Sequence, residues 1–379
     1  MQRHTFQNLK LFSVNVKMFV KFGIIGSSNN LGKFLVAFVP FVTNIGQLIN
    51  LYMTWGDDIE ISEMGMNYFM WCVTANGLLR HLTMTRKDKK ILKFLKCIEN
   101  WHKDIERYDD PYILQQLQNI TNDVSKFTLF GFIAGSLCAL FADLYPLVYD
   151  HRKLPMDVHY PFAKIKEMPL YGISYFIQVI ILTPLAIANY LPFTNLLITF
   201  FMFGRVVLLD LQYKLSHINA QNETKMLRDF KECMAYHNKI IDFRNDLEEL
   251  VSINGLFDVA LFGAMLCMTL FFISIEQDFK LILVAMTFMF IPFYLFCITY
   301  YYSNKFTVES LEVANAAYNT PWYEGNLEMR KCVMVMIAKS QRPLEITAGG
   351  LYPMTLANFQ SLLKVSYSYF TLLQRFNQK

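Results

Sequence analysis

Long apolar runs alternate with short polar intervals along this chain, and the runs are too long for the elements of a soluble core. Five windows contain no Asp, Glu, Lys or Arg: Phe34 to Met53, Met64 to Leu79, Met168 to Gly204, Val259 to Ile275 and Leu281 to Asn304. A sixth, Phe127 to Tyr149, is interrupted only by Asp143, and a seventh, Gly349 to Phe376, carries Asn358, Gln360 and Lys364 among apolar residues. A helix that crosses a bilayer needs about 20 mostly apolar residues. The pattern predicts an all-α membrane protein with seven transmembrane helices. The window from Met168 is long enough for a hairpin turning near Pro192. One long helix is favoured, because an even number of spans would spoil the charge pattern.

Only 17% of the 379 residues are charged and 54% are hydrophobic, against roughly 25% charged in an average soluble domain. The basic residues are sorted. Loops on one side of a seven-span arrangement hold 26 Lys and Arg, those on the other side 7. Lys and Arg accumulate in cytoplasmic loops, so the amino terminus is expected in the cytoplasm and the carboxyl terminus outside. This sidedness is opposite to that of a G-protein-coupled receptor, and neither an Asp-Arg-Tyr nor an Asn-Pro-x-x-Tyr motif follows the relevant spans. The expected divisions are a cytoplasmic amino-terminal segment (1–33), a six-helix transmembrane bundle with cytoplasmic helical extensions (34–304), a cytoplasmic anchor segment (305–345), and a last helix with a short extracellular tail (346–379). No cleavable signal peptide is expected. The sequons at Asn119 and Asn222 fall on the cytoplasmic side, and the seven cysteines, without C-x-x-C spacing, are expected to stay reduced.

Between the fourth and fifth runs, Met226, Phe230, Cys233, His237, Ile240, Leu247 and Val251 recur at steps of three and four residues. This is the periodicity of an amphipathic helix, and it runs directly into the next span. Pro321 and Gly325 mark a turn. The following Cys332 to Ala338 stretch, apolar on every side, is expected in a cytoplasmic helix bundle that packs with other subunits. The seven histidines form no H-E-x-x-H, and no Gly-rich phosphate loop is present. No enzyme, metal site, cofactor or nucleic-acid partner is expected.

Charges inside spans are costly and often functional. Asp143, near one end of its run, is expected to reach interfacial water, whereas Lys364 needs a partner or water of its own. The spans also offer an apolar pocket with a few polar groups in the outer half of the bundle, as a small volatile ligand would require. Its candidate lining is Tyr68, Trp71 and Cys72 in the second span, Ser136 and Leu140 in the third, and Tyr175, Gln178 and Leu182 in the fourth. For any one of these, packing is the commoner role.

The last 70 or so residues carry an ordered set of short motifs: Pro321-Trp322-Tyr323-Glu324-Gly325, Gln341-Arg342-Pro343, Ala348-Gly349-Gly350, Phe359, Ser361-Leu362-Leu363-Lys364, then Ser366-Tyr367-Ser368-Tyr369-Phe370 with Leu372-Leu373. In this the chain resembles the insect odorant receptor family. The resemblance implies an odorant-gated nonselective cation channel, in which a tuning receptor assembles with the odorant receptor co-receptor into four subunits around a pore lined by the seventh helices. The chain lacks the co-receptor's long insertion before the fifth span and so resembles a tuning subunit. The implied roles are a pore gate at Leu372 and Phe376 and subunit contacts at Trp322, Tyr323 and Tyr369. The implied partners are the co-receptor, a small and aromatic volatile odorant, permeating cations and membrane lipid, at the plasma membrane of olfactory sensory neurons. A gustatory-type channel is disfavoured by Ser368-Tyr369 and Gln374-Arg375-Phe376; a metabotropic seven-helix receptor or a transporter are the remaining alternatives.

Overall fold

The computed structural model describes residues 13–21, 24–26, 30–54, 61–108, 110–149, 154–160, 167–219 and 222–377. They form helices α1 (Ser13–Lys21), α2 (Asn30–Thr54), α3 (Ile61–Arg86), α4 (Asp88–Tyr108), α5 (Pro111–Tyr149), α6 (Leu170–Ile177), α7 (Thr183–Ser216), α8 (Glu223–Ile275), α9 (Phe279–Tyr318), α10 (Leu327–Ser340) and α11 (Leu356–Asn377). A two-residue hairpin, β1 (Thr347–Ala348) with β2 (Tyr352–Pro353), precedes α11.

Among the described residues five helical stretches are long and apolar enough to cross a membrane: Val36–Thr54, Pro111–Leu144, Leu170–Ser216, Glu223–Ile275 and Phe279–Glu324. Helices α3 and α11, of 26 and 22 residues, have the length but are more polar, and together the seven make a seven-span bundle. The polarity of α3 has partners: Thr74 Oγ1 donates to Gln47 at 2.8 Å, Asn76 Nδ2 to Asp258 at 2.7 Å, and Thr83 Oγ1 to Asn254 at 2.9 Å. Inside a bilayer each such group would cost several kcal/mol unpaired, so α3 is held where α2 and α8 can satisfy it.

The run from Met168 is one continuous element. Helices α6 and α7 are joined by a π turn, Gln178–Leu182, in which the Thr183 N–H reaches back to the Gln178 carbonyl. The widened turn ends two residues before Pro184, which has no N–H to offer the ladder.

The amphipathic stripe from Met226 to Val251 is buried along one face of α8, a helix of 53 residues and so about 80 Å long. Asn222, part of a sequon, caps its start by accepting from the N–H groups of Thr224 and Lys225 at 3.1 and 3.2 Å. Trp101 of α4 is 1% exposed and donates to Tyr236 at 2.8 Å; Tyr236 in turn donates to Asp210 of α7 at 2.6 Å. This chain of bonds ties α4, α7 and α8 together outside the most apolar part of the bundle. Helix α10 buries Met329, Val333 and Met336 but leaves Leu327, Met334 and Val335 exposed, so part of its apolar surface has no partner among the described residues.

The hairpin before α11 is pinned to α8. Gly349 N–H donates to Ser252 carbonyl at 2.8 Å, Thr347 N–H to Glu248 at 2.8 Å, and Arg244 Nε to Glu345 carbonyl at 2.7 Å. Gly349 and Gly350 both have positive φ, 67° and 72°, and a Cβ on Gly349 would lie 2.9 Å from Leu256. Gly349→Ala is therefore expected to destabilise the protein by about 1–2 kcal/mol, the usual left-handed penalty. A lowered unfolding temperature of the detergent-solubilised protein would register it.

Candidate functional site

A cavity of about 140 Å³ lies between α3, α5, α7 and α9. Its wall is largely aliphatic and aromatic: Phe69 and Val73 from α3, Ile187 and Tyr190 from α7, Phe288 and Ile291 from α9. Room for it comes from α5, where Gly135, Ala139 and Ala142 recur at steps of four and three and so share one helix face. The segment 155–156 closes one end. It is clamped by Gln178, whose amide accepts from Met156 N–H at 2.9 Å and donates to Met156 carbonyl at 2.8 Å. Tyr160 Oη, donating to Val42 carbonyl at 3.1 Å, anchors the same segment to α2.

Among the described residues one charged side chain lines the cavity, Asp143. It is 6% exposed, its Oδ1 accepts from Thr183 Oγ1 at 2.9 Å, and its own main-chain carbonyl accepts from the Tyr175 hydroxyl. The expectation that it reaches interfacial water is thus corrected. A carboxylate at the end of a span can turn inward when a facing helix offers a hydroxyl, and Thr183 at the start of α7 does so.

None of the eight expected pocket residues lines this cavity, although they lie on three of its neighbouring elements. Tyr68 and Trp71 are half-buried with ring centroids 5.9 Å apart, and Cys72 is fully buried. Ser136 and Leu140 are exposed on the outer face of α5, Leu140 at 55%. Tyr175 and Gln178 support the wall from behind through Asp143 and Met156, and Leu182 is buried in the π turn. On α3 and α5 the expected residues are sequence neighbours of lining ones: Tyr68 beside Phe69, Cys72 beside Val73, Ser136 beside Gly135 and Leu140 beside Ala139. The small-residue spacing at Gly135, Ala139 and Ala142 was the available clue.

Toward α8, Tyr190 leads to a buried clasp. Arg80, 5% exposed, donates to Asp258 Oδ1 at 2.9 Å, Thr194 Oγ1 at 2.6 Å and Tyr190 carbonyl at 3.0 Å. Its guanidinium lies 4.1 Å from the Tyr190 ring centroid, a cation–π contact in a desolvated setting. Helix α8 then carries α11. Leu362 and Ser366 pack where Gly263 leaves space, and Phe359 enters an aromatic cluster with ring centroids 5.6 Å from Tyr300 and 5.9 Å from Phe296.

That packing uses one face of α11. Gln360, Ser361, Lys364, Tyr367, Ser368 and Leu372 on other faces are exposed, Leu372 at 49%. Tyr369 is exposed at 59% and Tyr323 at 63%, while Trp322 is partly buried and donates to Tyr318 carbonyl at 3.0 Å. Phe376 falls on α11, with its side chain outside those described.

These features define a multi-pass, seven-helix membrane protein with an internal apolar cavity and a last helix only half packed. The 7tm Odorant receptor family model matches residues 60–367, and the chain belongs to that family. It is 30% identical over 375 residues to Odorant receptor Or2 of Anopheles gambiae, covering 96% of this chain and 97% of that one. It is 30% identical to Odorant receptor 10 of Aedes albopictus, with 90% and 91% coverage, and 26% identical to Odorant receptor 30a of Drosophila melanogaster, with 90% of each chain covered. The fold is that of the insect olfactory receptor OR5 from Machilis hrabei solved in complex with eugenol, at a TM-score of 0.76, 13% identity and 97% coverage of both chains.

Proposed function

We propose that this odorant receptor is the tuning subunit of a ligand-gated cation channel, binding a small volatile molecule in the cavity between α3, α5, α7 and α9. The cavity carries the reading: it lies between four membrane helices, is apolar on nearly every side, and has room for one compact molecule. The related OR5 fold was solved with eugenol, a molecule built on one aromatic ring, which suits a ligand of the same order of size here. Ligand binding would act by population shift, favouring the bundle shape in which α11 stands away from the pore axis.

The half-packed α11 supports the rest of the reading. Its exposed Gln360, Ser361 and Ser368 suit a water-filled pore, and Leu372 would contribute to a ring that closes the pore by dewetting. Phe376 follows one helical turn later. Partners for the unpaired faces of α10 and α11 would come from neighbouring subunits, the co-receptor among them, with Trp322, Tyr323 and Tyr369 at the contacts. The bias of Lys and Arg favours a cytoplasmic amino terminus, in the plasma membrane of olfactory sensory neurons.

Recording odorant-evoked current from cells expressing the chain with and without the co-receptor tests this reading. A cation current that requires both subunits is expected. Silence toward a broad odorant panel, despite delivery to the cell surface, would overturn it. Leu372→Ala is expected to raise the current in the absence of odorant several-fold, because a smaller side chain widens the apolar ring; unchanged basal and evoked currents would remove Leu372 from the gate.

A further inference from the structure

The wall of the cavity is apolar except at one place, and that place is chemically one-sided. Among the described residues Asp143 is the only charged side chain on it, and none of the described Lys, Arg or His residues lines the cavity. Its position is fixed twice, by the Thr183 hydroxyl donating to Oδ1 at 2.9 Å and by the Tyr175 hydroxyl donating to its main-chain carbonyl. Among the described residues no donor reaches Oδ2. A carboxylate has about four lone-pair sites, and a buried one left short of donors carries a desolvation cost that a bound donor would relieve.

Resting on the reading of this cavity as the odorant site, we propose that it selects single-ring ligands bearing one hydrogen-bond donor, an N–H or O–H given to the carboxylate of Asp143. Size sets the first part. A dry apolar cavity of about 150 Å³ in another protein admits benzene, and this one is about 140 Å³, so a single ring fits. Chemistry sets the second. A site built to pair with a donor rejects the analogue lacking it, because the site's own polar atom is then buried unpaired. Thr183 cannot compensate, since its hydroxyl is already turned to Oδ1. The rest of the wall, Phe69, Val73, Ile187, Phe288 and Ile291 among it, treats the two analogues alike.

The test uses matched pairs of one ring size on the channel co-expressed with the co-receptor: phenol against anisole, aniline against N,N-dimethylaniline, and benzyl alcohol against benzyl methyl ether. The donor member of the pairs is expected to be more potent by about tenfold or more, the usual worth of one hydrogen bond to a charged group. In Asp143→Leu that preference should collapse to about twofold or less, with the methylated member still active. Asp143→Asn, which keeps the shape of the side chain, guards against a folding defect and should also narrow the preference, with surface delivery measured for each variant. Equal potency within the pairs in the unmodified channel, or a response to donor-free odorants of this size but to no donor member, would overturn the proposal. So would variants at Asp143 that depress both members of a pair equally. Ala186→Phe separates the two levels of inference. If it leaves every response intact, the cavity is not the odorant site; if it abolishes them while Asp143→Leu leaves the ratios unchanged, the cavity stands and the donor preference falls.

Discussion

Asp258→Ala is expected to cost about 3–5 kcal/mol, the range for removing one partner of a buried ion pair. The carboxylate accepts from both Arg80 and Asn76, at 2.9 and 2.7 Å. Its loss leaves the Arg80 guanidinium with only a hydroxyl and a carbonyl as acceptors, at a position 5% exposed. Replacing both members by Leu should recover much of that cost, since an apolar pair of similar volume is often as stable as the ions it replaces. A double-mutant cycle at Arg80 and Asp258, read by unfolding temperature in detergent and by yield at the cell surface, gives the coupling directly. If the alanine variant unfolds at the same temperature as the unmodified protein, the pair is not holding α3 to α8. The clasp has a second consequence. Tyr190 offers its ring and carbonyl to Arg80 while lining the cavity, and Asp258 belongs to the helix on which α11 rests. The double Leu variant can therefore restore stability and still change the odorant concentration needed for a response.

How much of this was legible beforehand depended on whether a feature is periodic or singular. The buried stripe of α8 could be read from residue spacing alone, because a step of three and four fixes one face whatever lies opposite. The continuity of α6 and α7 followed from the absence of charges and the alternation of basic loops. The wetness of α11 was visible only as an anomaly, and the structure accounts for part of it: Phe359, Leu362 and Ser366 pack, while Lys364 and its neighbours on the other faces await whatever adjoins the chain. Several expected pocket residues stand one position away from residues that line this cavity. Ser136 and Leu140 sit next to Gly135 and Ala139, and a single step along a helix is a turn of about 100°, enough to move a side chain from the cavity to the outside. Nothing in a single sequence sets that phase when both faces are apolar. Arg80 was missed for a different reason. Windows cut at the first charge end at Leu79, whereas α3 continues to Arg86, because Asp258 lies across from it, 178 positions away in the chain. Long-range pairing of this kind leaves no local trace.

Ala186→Phe is expected to abolish or shift the odorant response by about three decades in concentration. Ala186 lies one turn beyond Thr183, on the face of α7 that lines the cavity. A ring placed there occupies the volume a ligand would use. An aromatic ring of side-chain size buries about 150 Å², which at about 25 cal/mol/Å² amounts to about 4 kcal/mol, or about three decades in affinity. An apolar side chain filling an apolar cavity costs the fold little, so the variant should still reach the surface. Loss of response alone would not separate occlusion from damage, and the opposite change supplies the control. Ile187→Ala removes wall from the same cavity and should improve the response to ring ligands enlarged by one or two methyl groups, relative to the unsubstituted ring. A gain for larger ligands in one variant and a loss for all in the other can arise only if the ligand sits between α3, α5, α7 and α9. If Ile187→Ala instead weakens every ligand in proportion, the response is set elsewhere in the bundle.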